Sequence, residues 1–201
     1  SGHCHRRCRR SDRRGAVLIG NASSRHRLVR RCVQGIRPDC AFETLQVDAR
    51  DLPFPADHFD AILSIDAYQY FGTDCLFLPY ILRFLKPAGT IAFASAGLTN
   101  DFENDVPEHL TRFWQPDAWC LQTSRWWREH WQRTNLVDVM AADTLRNGWE
   151  YWLAWAKLNR TADWYVETLT SDAGRFLGYV RMIARRIPNR PLLPYDLRTG
   201  K

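Results

Sequence analysis

The stretch VDARDLPFPADHFDAILSIDAYQYF, residues 47–71, followed by LRFLKPAGTIAFASAGL, residues 82–98, decides how this chain folds. FDAILSI (59–65) and TIAFASA (90–96) are apolar runs of strand length. Residues 74–85 between them read as a helix, with Pro79 expected to kink or shorten it. Lys86, Pro87, Ala88 and Gly89 form the stop signal before the second run. Strand, helix, strand in this rhythm predicts parallel βαβ units and an α/β fold.

Working outward, residues 41–47 alternate loosely and predict a strand ending at Asp48. Upstream, the short run AVLI (16–19) stopped by Gly20 and Asn21 reads as a buried strand, and Ser23 or Ser24 could cap a basic helix running to about Val33. Downstream, residues 98–110 read as a polar loop or lid. SRWWREHWQRT (124–134) predicts a capped helix with Trp127 and Trp131 on one face. Residues 137–141 read as a strand, 149–158 and 160–170 as helices, and 176–187 as a last strand. The domain is expected to span 15–190, between a basic, disordered arm (1–14) and a short tail (191–201), with 98–170 as a tryptophan-rich lid on the acceptor side.

The 201 residues suit one α/β domain. The formal charge of +6 is uneven. Residues 1–40 hold eleven arginines against two acids, Asp12 and Asp39, so the rest of the chain is mildly acidic. The arginine arm has neither interleaved aromatics nor a recognised motif, so a nucleic-acid partner is not expected, although phosphate contacts through the arm are the third function considered. No apolar stretch is long enough to span a membrane. The six cysteines lack a disulfide-framework spacing, and a reduced, cytoplasmic chain is the simpler expectation. His3, Cys4, His5 and Cys8 lack a second ligand pair with zinc-site regularity, so no metal is expected.

An open parallel sheet binds its ligand beyond the carboxyl ends of its strands. The residues placed there are Asn21, Asp48 with Ala49, Asp66 with Ala67, and 95–97. An acid after one strand could accept the amino group of an adenine, and the loop after the next could wall a reaction centre. All nine tryptophans lie between Trp114 and Trp164. Most are expected to pack a core, while Phe113, Trp114, Trp119 and Trp126 could line an aromatic acceptor pocket that favours a cation. His109 and Glu108, in the lid-like loop, are the candidate general bases.

The order D-A-x-x-L-P-F-x-x-x-x-F-D and then F-L-K-P-x-G resembles the second half of a class I S-adenosylmethionine (SAM) methyltransferase. It is most similar to the type-11, ubiquinone/menaquinone methyltransferase-like group. The resemblance implies a Rossmann-like methyltransferase sheet with helices on both faces, SAM as cofactor and a small-molecule methyl acceptor. It implies that Asp48 contacts adenine N6, with Ala49 as the backbone contact beside it. Asp66, Ala67 and Tyr70 then border the cofactor's methionine and ribose. Ala88 stands where the family often has glycine.

The family's G-x-G-x-G motif, whose glycines let backbone approach the cofactor, is absent. Residues 16–21 are therefore read as the second strand, with Asn21 where an acid usually grips the ribose hydroxyls, and the fold is expected to lack the first strand and helix. A truncated or frameshifted upstream region would give such a start. Two further expectations stand beside the arm: an active methyltransferase, or a non-catalytic remnant that binds SAM weakly or not at all.

Overall fold

A computed structural model describes the backbone of residues 16–20, and residues 45 and 47–192. Asn21, the arginine arm and the capped basic helix expected after Ser23 lie outside the described residues. Among the described residues, five strands form one sheet: β1 (Ala16–Gly20), β2 (Phe59–Ile65), β3 (Leu85–Leu98), β4 (Val137–Thr144) and β5 (Leu177–Arg186). Their order is β1-β2-β3-β5-β4. The first three run parallel, whereas β5 is antiparallel to both β3 and β4. The helices are α1 (Gln69–Gly72), α2 (Phe77–Leu82), α3 (Ser124–Arg133), α4 (Gly148–Leu158) and α5 (Asp163–Asp172).

Side chains alternate along a strand, so the register sorts the sheet into two faces. Ile62 lies opposite Ile91, Ile91 opposite Ala184, and Phe93 opposite Met182. These buried residues pack with Phe77, Leu78, Ile81 and Leu82 of α2 and with Trp127 and Trp131 of α3. On the opposite face, Ala96, Leu98 and Leu177 pack against Trp152 and Ala156 of α4 and Leu169 of α5. Helices thus cover both faces, as the Rossmann-like reading requires.

Three local expectations are corrected. Residues 16–21, read as the second strand, should be separated from β2 by a first strand. Ala16–Gly20 instead pairs directly with β2, Gly20 opposite Ile65. In the doubly wound order the neighbour of the fourth strand is the first, so this strand stands in the first strand's slot. Leu45 and Val47 are irregular and exposed, and Asp48 enters a turn closed by Asp51 N–H on the Asp48 carbonyl (2.9 Å), so it does not end a strand. The helix expected over 74–85 is reduced to Phe77–Leu82. Pro79 sits in its first turn, where a missing N–H costs no helical hydrogen bond.

The stop signal is a bulge inside β3. Leu85 pairs with Phe59, and pairing resumes with Thr90 opposite Ala61. Ala88 there has φ +62°, the left-handed region that favours glycine. Asp60 and Asp57 are ion-paired at this end of the sheet, Asp60 to Lys86 (2.9 Å) and Asp57 to Arg186.

Candidate functional site

The carboxyl ends of the three parallel strands lie side by side. Gly20 ends β1 opposite Ile65, and the next residue, Asp66, donates its N–H to the Ala94 carbonyl of β3 (2.8 Å). Asp66 itself has φ +51°. Aspartate tolerates this region better than most residues, and such backbone outliers concentrate at functional sites. Its carboxylate accepts from Gln69 Nε2 (3.2 Å) and, at 3.5 Å, lies within reach of the Ala96 N–H.

The charge of Asp66 acts on three tyrosines from three different elements. Tyr70 projects from α1 and is 54% exposed. Tyr179 comes from β5; burial and then the charge of Asp66 hold its hydroxyl far above the ordinary phenol range. Tyr165 comes from α5, and its hydroxyl accepts a hydrogen bond from Trp152 Nε1 (2.9 Å). Burial raises the pKa of Tyr165 and of Tyr70, and Asp66 adds to both. Phe113 backs this group, its ring 5.6 Å from Tyr165 and 5.9 Å from Trp152. Cys120 borders it as a thiol whose pKa burial raises, which makes it a poor nucleophile at neutral pH.

The expected site residues are distributed as follows. Asp66, Ala67 and Tyr70 form the corner just described, with Ala67 buried. Asp48 and Ala49 lie on the turn before β2. The Asp48 carboxylate is held by both Nε (3.0 Å) and Nη2 (2.7 Å) of Arg50, which lowers its pKa to about 2. Both of its oxygens are therefore engaged by a neighbour two residues away. Residues 95–97 continue β3, where Gly97 leaves no room for a Cβ against the Gln122 carbonyl (2.8 Å).

His109 Nε2 lies 3.0 Å from Asp172 Oδ1. Asp172 is fully buried, and its other oxygen accepts from the N–H groups of Phe176 (3.1 Å) and Leu177 (2.8 Å). His109 is thus fastened to the start of β5. Glu108 is exposed in the same short turn. The four aromatic pocket candidates separate. Phe113 and Trp114 pack in the core under α4 and α5, Trp119 is 59% exposed, and Trp126 packs on the other face, stacked on His130 (4.6 Å). Tyr165 and Tyr179 were not singled out from sequence. For Tyr179 the available signal was a hydroxyl-bearing residue on the strand face that also carries Leu177.

Residues 8–93 match the methyltransferase domain family. That stretch is similar to the family, and the match covers less than half of the chain. The match bears out the resemblance carried by residues 47–98. A curated relative, the fatty-acid O-methyltransferase of Mycolicibacterium smegmatis, is 37% identical over 54 residues, which are 27% of this chain and 20% of the relative. The chain thus matches a fifth of that protein's length.

Among solved structures, the [4+2]-cyclase SpnF aligns with a TM-score of 0.61 at 14% identity, over 86% of this chain and 66% of that one. Geranyl diphosphate C-methyltransferase from Streptomyces coelicolor A3(2) gives 0.56 at 17% identity, over 86% and 63%. The YcgJ protein of Bacillus subtilis gives 0.55 at 18% identity, over 86% and 82%. At these identities the likeness is one of fold. Among the described residues, no helix is long and apolar enough to cross a membrane.

Proposed function

We propose that this methyltransferase-like chain binds SAM across its parallel strand ends and transfers a methyl group to a small-molecule acceptor. The observation that carries this reading is the Asp66–Ala67 corner. A left-handed aspartate ends β2 beside the end of β1, where an open sheet takes its ligand. The methyltransferase names of the fatty-acid and geranyl diphosphate relatives support it.

The fit to the cofactor is divided. Asp66, Ala67 and Tyr70 offer a carboxylate, a close backbone and an aromatic face to the methionine and ribose parts. Asp48 is the weaker half, since Arg50 occupies the oxygens that an adenine amino group needs. Bound SAM would supply an electrophilic methyl group on a sulfonium. The protein's tasks are to position the acceptor against it and to exclude water. We assign the acceptor side to Phe113 and the neighbouring lid residues. The candidate bases His109 and Glu108 stand at the lid, where His109 also serves as the partner of Asp172.

Calorimetric titration with S-adenosylhomocysteine tests the reading, with saturable one-to-one binding expected. Arg50→Ala should strengthen that binding several-fold by freeing Asp48. The closed Asp48 favours one second reading, a non-catalytic remnant. A flat titration in both the parent protein and Arg50→Ala would establish it and remove the enzyme.

A further inference from the structure

Glu150 and Lys157 are the only charged residues of α4. The helix buries Trp152 and Ala156 against the sheet. Its outer face is apolar as well. Tyr151, Ala154, Trp155 and Leu158 recur at i, i+3, i+4 and i+7, which makes one stripe along a helix. Tyr151 is 71% exposed, Trp155 40% and Leu158 83%. The outer face of α3 is built differently, from Arg125, Glu129, Gln132 and Arg133. A helix that is apolar on both sides is normally covered on both sides.

The two charges say what covers it. Glu150 and Lys157 are seven residues apart, so both stand on the same flank of the stripe. Both are exposed, and among the described residues neither is held in an ion pair. About 10 Å of helix rise separates them, too far for one to pair with the other. In an antiparallel pair of helices, like flanks face each other. A second copy of α4 laid antiparallel on the first sets each Glu150 beside the other copy's Lys157, about a two-fold axis. A parallel pair sets unlike flanks together and leaves both charges unmatched. The axis passes beside Ala154, the small residue of the stripe, where two helices can approach closely. A membrane surface would favour a basic flank, whereas this one carries an acid and a base.

We propose that the outer stripe of α4 is the contact surface of an antiparallel, two-fold dimer of this chain. Two such stripes bury on the order of 1,000 Å² in all, the low end for a specific interface. The dimer is therefore weak, with a Kd on the order of 10–100 µM. No residue of the stripe belongs to the Asp66 corner, so the dimer stands whether or not the chain binds SAM.

The test is sedimentation velocity on the full chain, from about 1 to about 500 µM, with a monomer–dimer equilibrium expected. Tyr151→Gln combined with Leu158→Gln should weaken the dimer at least about tenfold. Both side chains are exposed and glutamine is a good helix former, so the variant keeps its fold, checked by an unchanged melting temperature at low concentration. Glu150→Lys and Lys157→Glu, each alone, should weaken association about three- to tenfold, and the two together should restore it.

A chain that stays monomeric over the whole range overturns the proposal. So does a dimer that survives the double glutamine variant, which would place the contact elsewhere. Failure of the double charge exchange to restore association overturns the antiparallel pairing and with it the proposal. A monomer that sediments with phosphatidylcholine vesicles, and loses them in the double glutamine variant, would assign the stripe to a lipid surface instead.

Discussion

The two faces of the sheet bury their tryptophans in different ways. On the face covered by α2 and α3, Trp127 and Trp131 are fully buried, and neither indole N–H has a hydrogen-bond partner. They pack around Tyr68 and Phe93 with ring centroids 4.7 to 5.8 Å apart. On the face covered by α4 and α5, Trp152 gives its N–H to the Tyr165 hydroxyl (2.9 Å) and so fixes it. The first face uses aromatic rings as volume. The second uses them to hold polar groups at the strand ends. The candidate site is assigned to the second face.

The sharpest way to break this contrast is truncation on the packing face. Trp131→Ala should cost about 3–5 kcal/mol in urea unfolding, whereas Trp131→Phe should cost far less, because the lost N–H had no partner. A phenylalanine variant as damaging as the alanine one would mean that the indole nitrogen matters and the contrast fails.

On the other face, Asp172→Ala leaves the Phe176 and Leu177 N–H groups buried without an acceptor and removes the partner of His109. A loss of about 2–4 kcal/mol is expected, read by the same titration. Trp152→Phe should cost about 1 kcal/mol in stability, because it leaves the Tyr165 hydroxyl without its donor. The two phenylalanine variants, one losing an unpaired N–H and one a paired N–H, separate the two faces most directly.

Ala88→Gly, at the bulge, should stabilise by about 0.5–1 kcal/mol, since relief of left-handed strain outweighs the added freedom of the unfolded chain. The melting temperature should rise, and a fall would show that the Ala88 methyl makes a contact worth more than the strain.

The smallest effect concerns His130. A carbonyl can only accept, so its Nε2 must carry a proton to bond the Gly72 oxygen (3.0 Å). Burial, the largest cause, lowers its pKa below the ordinary 6.5. The unfolded chain therefore takes up the second proton first as pH falls. Stability conferred by neutral His130 is complete above about pH 6.5 and is lost as pH drops through the lowered value. His130→Gln should flatten the stability profile between pH 7.5 and 5.5, and an unchanged slope would assign the pH dependence to other groups.

Much of this architecture was legible from local pattern. FDAILSI and TIAFASA became β2 and most of β3, and the i, i+4 pair Trp127 and Trp131 turned to one buried face of α3. The Asp66 corner was legible because an acid after an apolar strand is rare without a purpose. What escaped was set by contacts distant in sequence. Nothing near Leu177 says that β5 enters between β3 and β4. Tyr165 and Tyr179 lie about a hundred residues from Asp66, so no motif spacing links them. The pairing of Asp48 with Arg50 was visible as letters, but its bidentate geometry depends on how the turn closes.

The placement of β5 also has a consequence for the order of assembly. In the finished sheet it separates β3 from β4, although β4 precedes it in the chain. As the polypeptide leaves the ribosome, β3 therefore presents an open edge, and β4 has no neighbour to join until residues 177–186 are made. Throughout that interval the growing chain carries a β-sheet edge able to pair with another copy. Among the described strands, the last one made is the one that closes this edge.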